Sequence, residues 1–217
     1  MTSLVAKLIV SYLLGSMMGG LLVGRLRGGV DIRELGSGNA GGTNALRTQG
    51  TAFAAWVMAV DVGKALVAVL LVAPLDLATR VGPDPLDAQA MAYACGAAAV
   101  VGHVWPVFFQ FRGGKGAATL LGTLAALDAV ALAPVLCVFA VSLTLTGFVG
   151  LSTILAIWSL PLYALLVGGS GVADPQFAFG VAMALFITWT HRSNLARMRA
   201  GEEHRFARAM LFRRGGG

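Results

Sequence analysis

Charge is scarce in this sequence. Only 12% of its 217 residues are Asp, Glu, Lys or Arg, against 57% hydrophobic residues, where a soluble domain carries roughly 25% charged residues. Too few charges are present to cover a water-soluble fold of this size, whereas a surface facing lipid needs none. Acid is scarcer still: ten Asp and Glu stand against 16 Lys and Arg, a formal net charge of +6. Cys95 and Cys137 are the two cysteines, both inside apolar runs, without CxxC spacing or an adjacent His. That argues against a metal centre and reads them as small buried apolar residues. No metal and no cofactor is expected.

The basic balance does not point to nucleic acid. Of the 16 Lys and Arg, 13 fall in three clusters: Arg25, Arg27, Arg33 and Arg47; Arg112 and Lys115; and Arg192, Arg197, Arg199, Arg205, Arg208, Arg213 and Arg214. Long apolar segments separate them, and no continuous basic helix or interleaved aromatic stripe of a nucleic-acid binder is present.

What fills the chain instead is apolar sequence, with a mean hydropathy of +0.79. A spanning helix needs about 20 mostly apolar residues, within a range of about 17–25. Seven stretches are candidates: Leu4–Val23, Ala52–Val72, Ala88–Val101, Ala117–Ala133, Pro134–Leu145, Leu151–Val167 and Phe177–Thr190. The first has no clear small-residue cleavage site and reads as a retained helix rather than a signal peptide. Positive residues favour the cytoplasmic side. With seven spans the three basic clusters all fall there, and the loop Asp76–Asp87, with Asp76, Asp84 and Asp87 against Arg80, falls outside. The expected architecture is an all-α integral membrane protein of about seven transmembrane helices. Its N-terminus is outside, its C-terminus cytoplasmic, and residues 1–217 form one polytopic domain. Gly15, Gly19 and Gly20 in the first segment suit close helix packing. The terminal Gly215–Gly217 is given no role.

Three polar motifs interrupt the apolar sequence, all on the cytoplasmic side. The first runs from Gly36 to Arg47. Its glycines let backbone N–H groups turn toward an anion. Ser37, Thr43 and Asn44 add neutral donors, and Arg47 adds a fork for phosphate. A flexible glycine-rich loop is the plainer alternative. The second runs from Gly102 to Thr119 and holds Gly113-Gly114-Lys115-Gly116 just before a helix. Free N–H groups and the dipole at a helix N-terminus favour phosphate; Lys115 adds a point charge and Thr119 a hydroxyl. Phe109 and Gly116 break the Walker A pattern. Trp105, Phe108, Phe109 and Phe111 read first as an interfacial belt and second as an acyl-chain entry. The third motif runs from His191 to Glu203. His191 and Asn194 share a helix face at i, i+3, while Arg197, Arg199 and the later arginines suit anionic headgroups. Asp61 and Lys64 are also at i, i+3, inside the second apolar stretch. Charges at that depth usually pair inside the bundle; a structural pair is the first reading and positioning of a phosphate site the second.

Taken together, the strings Gly-Ser-Gly-Asn-x-Gly-x-Thr-Asn-x-x-Arg, Gly-His-x-x-Pro-x-Phe-x-x-Phe-x-Gly-Gly-Lys-Gly and His-Arg-x-Asn resemble those of the bacterial acyl-phosphate-dependent glycerol-3-phosphate acyltransferases, the PlsY family. The resemblance covers most of the chain and includes motif order and spacing. It implies a seven-helix enzyme of the bacterial cell membrane, with its active site on the cytoplasmic face. It also implies acyl transfer from acyl phosphate to the 1-hydroxyl of glycerol 3-phosphate, giving lysophosphatidic acid and phosphate, the first step of phospholipid synthesis. The catalytic residues it implies are His191, Asn194, Lys115 and Arg47. Substrate-binding residues are Ser37, Gly38, Asn39, Thr43, Asn44, His103, Gly113, Gly114, Gly116, Thr119 and Ser152. Two positions depart from the family's habit: Ala65 stands where Gly is frequent, and Gly150 where Ser is frequent.

An acyl phosphate carries its own leaving group, so such an enzyme needs positioning and charge neutralisation more than a protein nucleophile. His191 and the donor phosphate are the two candidate proton acceptors, and the resemblance favours the phosphate. A transporter for a phosphorylated solute would also need anion loops. It would, however, line both halves of the membrane with polar residues, and here they crowd one side. A structural membrane protein would leave the Gly-Lys and His-Asn motifs unexplained.

Overall fold

The computed structural model describes residues 3–77, 82, 84–167 and 171–211. Arg80, Arg213, Arg214 and Gly215–Gly217 lie outside the described residues, as does the side chain of Arg208. No strand occurs among the described residues. The chain divides into two compact units, Met1–Ala129 and Val130–Gly217.

In the first unit the helices are α1 (Ser3–Gly15), α2 (Gly19–Leu26), α3 (Gly42–Gln49), α4 (Thr51–Val67, continued as a π-helical turn to Val72), α5 (Ala88–Val104) and α6 (Ala117–Leu127). The second unit holds α7 (Leu132–Thr146), α8 (Val149–Val167), α9 (Pro175–Thr190) and α10 (Arg192–Arg199). Starts and stops follow local chemistry. Asp87 caps α5 by accepting from the Ala90 N–H, and Asp174 caps α9 by accepting from Gln176 with Pro175 in the first turn. Gly147, at φ 74°, ends α7.

Four helical stretches are long and apolar enough to cross a membrane: Thr51–Val72, Ala88–Phe109, Ala129–Thr146 and Val149–Val167. The expected first span is not one straight helix. It is broken between Gly15 and Gly19 and bends by 47°, and it counts as a fifth crossing if α1 and α2 are taken together. Helices α6, of 11 residues, and α9, of 16, are shorter. At 1.5 Å per residue α6 rises only about 16 Å. Lipid-type surface is plain on α8, where Leu155, Trp158, Leu162 and Leu166 are exposed, and on α7, where Leu136, Val141 and Leu145 are. Cys95 is buried as expected; Cys137 is exposed on α7, because it falls on that apolar outer face.

Small residues let the helices of the first unit close up. A Cβ on Gly15 would strike the Ala99 carbonyl, and one on Gly102 the Tyr12 carbonyl, so α1 and α5 touch backbone to backbone. Gly19 faces the Val57 carbonyl on α4, and Gly20 the Ala40 carbonyl.

The break in the first span is satisfied by an ion pair. A helix end leaves carbonyls and N–H groups unbonded. Lys64 Nζ donates to the Met17 carbonyl at 3.0 Å, and Asp61 Oδ1 accepts from the Gly19 N–H at 3.1 Å. The cation therefore meets the carbonyl end of α1 and the anion the N–H end of α2, the polarity the two helix dipoles ask for.

Candidate active site

The first motif folds around one side chain. Asn44, buried, donates Nδ2 to the carbonyls of Ile32 (2.8 Å), Leu35 (3.0 Å) and Asn39 (2.9 Å). Its Oδ1 accepts from the Ser37 N–H at 2.9 Å. Asn44 spends its hydrogen-bonding capacity on the loop itself. Gly36 and Gly38 take left-handed φ of 57° and 71°, which glycine adopts without steric cost; a Cβ on Gly36 would also meet Asn44 Oδ1. Asn39 Oδ1 holds the turn into α3 by accepting from the Gly41 N–H. Ser37, Thr43 and Arg47 are exposed. The α3 N-terminus has no side-chain cap, so its first N–H groups stay available to an anion.

The second motif folds back on His103. After α5 the chain makes a short 3-10 turn at Val107–Phe109, and Gln110 and Phe111 take φ of 57° and 58°. Those left-handed residues reverse the chain. The Gly114 N–H then donates to the His103 carbonyl at 3.0 Å. Cβ atoms at Gly113 and Gly114 would strike the His103 carbonyl and His103 Nε2. Gly116, φ 88°, starts α6 without a side-chain cap. Lys115 is half-buried between these two fixed points. Thr119 is fully buried in the first turn of α6, with its hydroxyl unpartnered among the described residues. His103 is not at the surface: its Nδ1 lies 2.8 Å from Lys64 Nζ and 3.4 Å from Asp61 Oδ1.

The first unit joins these two motifs. Phe109 packs with Met18, Leu21 and Ala40 in one buried cluster, so it is core, while Trp105, Phe108 and Phe111 stay exposed. Arg25 stacks over the Phe109 ring at 5.3 Å. Arg33 donates Nη1 to the carbonyls of Phe109 (3.4 Å) and Arg112 (3.3 Å), and is itself held by Asp31 with Nη2 to Oδ2 at 2.7 Å. The hydrogen-bonded Arg33 guanidinium keeps the Asp31 carboxyl below its usual range, and Asp31 raises Arg33. Arg33 was legible only as one basic residue of a cluster; the Asp-x-Arg spacing was its one further signal.

In the second unit, His191 sits at the junction of α9 and α10, buried. Its Nδ1 lies 2.8 Å from the Ile187 carbonyl. A carbonyl only accepts, so Nδ1 carries a proton here. Asn194 donates Nδ2 to Glu203 Oε1 at 2.6 Å, and Arg197 donates Nε to Glu203 Oε2 at 2.6 Å. Glu203 is thus a shared acceptor that the motif string contained but its chemistry did not single out. Gly150 gives Asn194 its room: a Cβ there would come within 2.8 Å of Asn194 Cβ. Ser152 is buried and turns its hydroxyl to the Phe148 carbonyl at 2.9 Å, within its own helix. The tail pairs with the end of α7 through Phe206 N–H to the Gly147 carbonyl.

Residues 5–201 match the family model described as glycerol-3-phosphate acyltransferase. The chain belongs to this family. A glycerol-3-phosphate acyltransferase of Desulforudis audaxviator is 41% identical over 95% of this chain and 98% of its own length. One of Chlorobaculum tepidum is 35% identical over the same shares. Among solved structures, the glycerol 3-phosphate form of PlsY, an integral membrane glycerol 3-phosphate acyltransferase, is 32% identical. It matches with a TM-score of 0.79 over 94% of this chain and 96% of that one. The lysophosphatidic acid form matches at 0.77. The acyltransferase family thus combines with the apolar helices above to make this a membrane protein.

Proposed function

We propose that this protein transfers a fatty acyl group from acyl phosphate to the 1-hydroxyl of glycerol 3-phosphate, the first step of phospholipid synthesis. It works in the bacterial cell membrane with its active site on the cytoplasmic face. The observation that carries the reading is the pair of glycine loops in the first unit. Each leads into a helix whose N-terminus is free of any side-chain cap, α3 and α6, and Arg33 ties one loop to the other. Two anion-holding N-termini suit a reaction that brings two phosphate groups together. Relatives solved with glycerol 3-phosphate and with lysophosphatidic acid support the acceptor and the product.

In this mechanism Lys115 and Arg47, with Ser37, Thr43 and the loop backbone, hold the phosphates. His191 and Asn194 orient the glycerol. The glycerol oxygen attacks the acyl carbonyl carbon; an ester C–O bond forms, the C–O bond to phosphate breaks, and phosphate leaves with the electron pair. The hydroxyl proton goes to the leaving phosphate, which balances the reaction without a protein nucleophile. Asn44 and His103 in the first unit, and Ser152 in the second, serve as scaffold, because their side chains are bonded to backbone or to a buried ion pair; Thr119 stays among the substrate-binding residues. Seven membrane segments, with the N-terminus outside and the C-terminus cytoplasmic, keep the three basic clusters on one side. The two units act as one polytopic domain.

The test is product formation by purified protein from glycerol 3-phosphate with acyl phosphate, and with acyl-CoA in parallel. Lysophosphatidic acid from acyl phosphate alone is expected. Product from acyl-CoA alone would break the donor assignment, and none from either, in folded protein, would end the proposal.

A further inference from the structure

Asp61, Lys64 and His103 are buried charged or titratable groups that the reaction above does not use. They come from α4 and α5 and meet at short range: Lys64 Nζ is 2.9 Å from Asp61 Oδ1 and 2.8 Å from His103 Nδ1. A buried ion pair is weak evidence for stability, because desolvation offsets its attraction. Asp61 Oδ2 makes no hydrogen bond among the described residues.

What the three groups touch is informative. One side holds the backbone at the break of the first span, Met17 and Gly19. Gly20, next in line, abuts the Ala40 carbonyl of the first motif. The other side is the His103 ring, which fills the space beside Gly114, while the His103 carbonyl binds the Gly114 N–H. Gly114 precedes Lys115, and α6 begins two residues later. A rotation of the His103 ring would therefore be passed directly to the Lys115 backbone.

We propose that Asp61, Lys64 and His103 are positioning residues that fix the register of the Lys115 loop, with His103 as the element in contact with it. The proposal rests on Lys115 holding a substrate phosphate. It makes the intramembrane charges part of the acyl-transfer machinery, acting through Lys115 rather than on substrate.

A double-mutant cycle tests this, with His103→Asn and Lys115→Ala made singly and together. His103→Asn keeps a polar atom near the Nδ1 position and removes the ring beside Gly114. A displacement of about 1 Å costs on the order of 100-fold in rate, so a loss of about that size in kcat/KM is expected in the native background. In the Lys115→Ala background the further loss should be under about twofold. Equal losses in both backgrounds would make His103 an independent structural residue, and full activity of His103→Asn would overturn the proposal outright. Where Lys115→Ala turns over too slowly to measure, the same cycle is read from glycerol 3-phosphate-induced thermal shifts of the four purified proteins. Additive losses of the shift there would count against it equally. Failure of the native protein to react with acyl phosphate and glycerol 3-phosphate would instead strike the underlying functional assignment.

Discussion

His103 and Gly114 meet twice: the glycine N–H donates to the histidine carbonyl at 3.0 Å, and the histidine Nε2 occupies the place of the missing Cβ. The loop that carries Lys115 is therefore closed by a glycine that no other residue replaces without moving a buried ring. Gly114→Ala is expected to cost about 1–3 kcal/mol of overpacking. Because the displacement falls on the Lys115 loop, kcat/KM for acyl transfer should fall as well, by up to about 100-fold. Activity within twofold of native would show that the ring moves freely.

Arg33 connects the two glycine loops, and Asp31 holds Arg33. Asp31 has a depressed carboxyl pKa, so its contribution is full above the unfolded value, about 3.9. It is lost as pH falls through the lower folded value. The thermal midpoint of Asp31→Asn should lie below native by a constant margin above about pH 5, with the margin closing below about pH 4. A margin that instead widened on acidification would contradict the sign. Arg33→Ala should lower kcat/KM by about 10-fold, since two charge-assisted bonds to backbone are lost.

Glu203 gathers Asn194 and Arg197. Glu203→Ala removes the acceptor shared by Asn194 and Arg197 and should cost about 2 kcal/mol of stability, seen as a lower unfolding midpoint, with acyl transfer reduced. Glu203→Gln keeps one acceptor and should fall between. Identical effects of the two changes would remove the shared-acceptor account.

The proton of the glycerol hydroxyl is assigned to the leaving phosphate. His191→Gln should therefore scale the rate down while leaving the shape of the pH–rate profile unchanged. Loss of the acidic limb in that variant would make His191 Nε2 the base.

Lys115→Ala and Arg47→Ala should each lose most activity while keeping an unfolding free energy within about 1 kcal/mol of native, since one is half-buried and the other exposed. Asn44→Ala should do the reverse first, lowering the midpoint, because three loop carbonyls lose their donor. A stable Asn44→Ala protein with normal loop proteolysis would return Asn44 to the substrate.

Some of this was legible in the chain itself. Apolar runs such as Ala52–Val72 and Leu151–Val167 reappear nearly residue for residue as Thr51–Val72 and Val149–Val167. Lipid imposes uniform apolarity and complete internal hydrogen bonding on whatever crosses it, so composition suffices there. The three motifs were legible because their glycine, hydroxyl and basic residues are closely spaced in the chain, and the family was legible through the resemblance of those strings. The break at Ser16–Met18 was not legible. A run of apolar residues looks the same straight or bent, and the groups that satisfy the break, Asp61 and Lys64, lie more than 40 residues away.

The sequence by itself determined a helical membrane protein, because the bilayer acts on contiguous stretches of chain, and its motif strings carried the resemblance to the glycerol-3-phosphate acyltransferase family. Only the tertiary structure decided which polar residues face outward and which are spent on the scaffold. Asn44, His103 and Ser152, expected as substrate-binding residues, have side chains bonded to backbone or set against a buried ion pair. Hydrogen-bond partners are chosen by distance in space, and the chain order does not carry that distance.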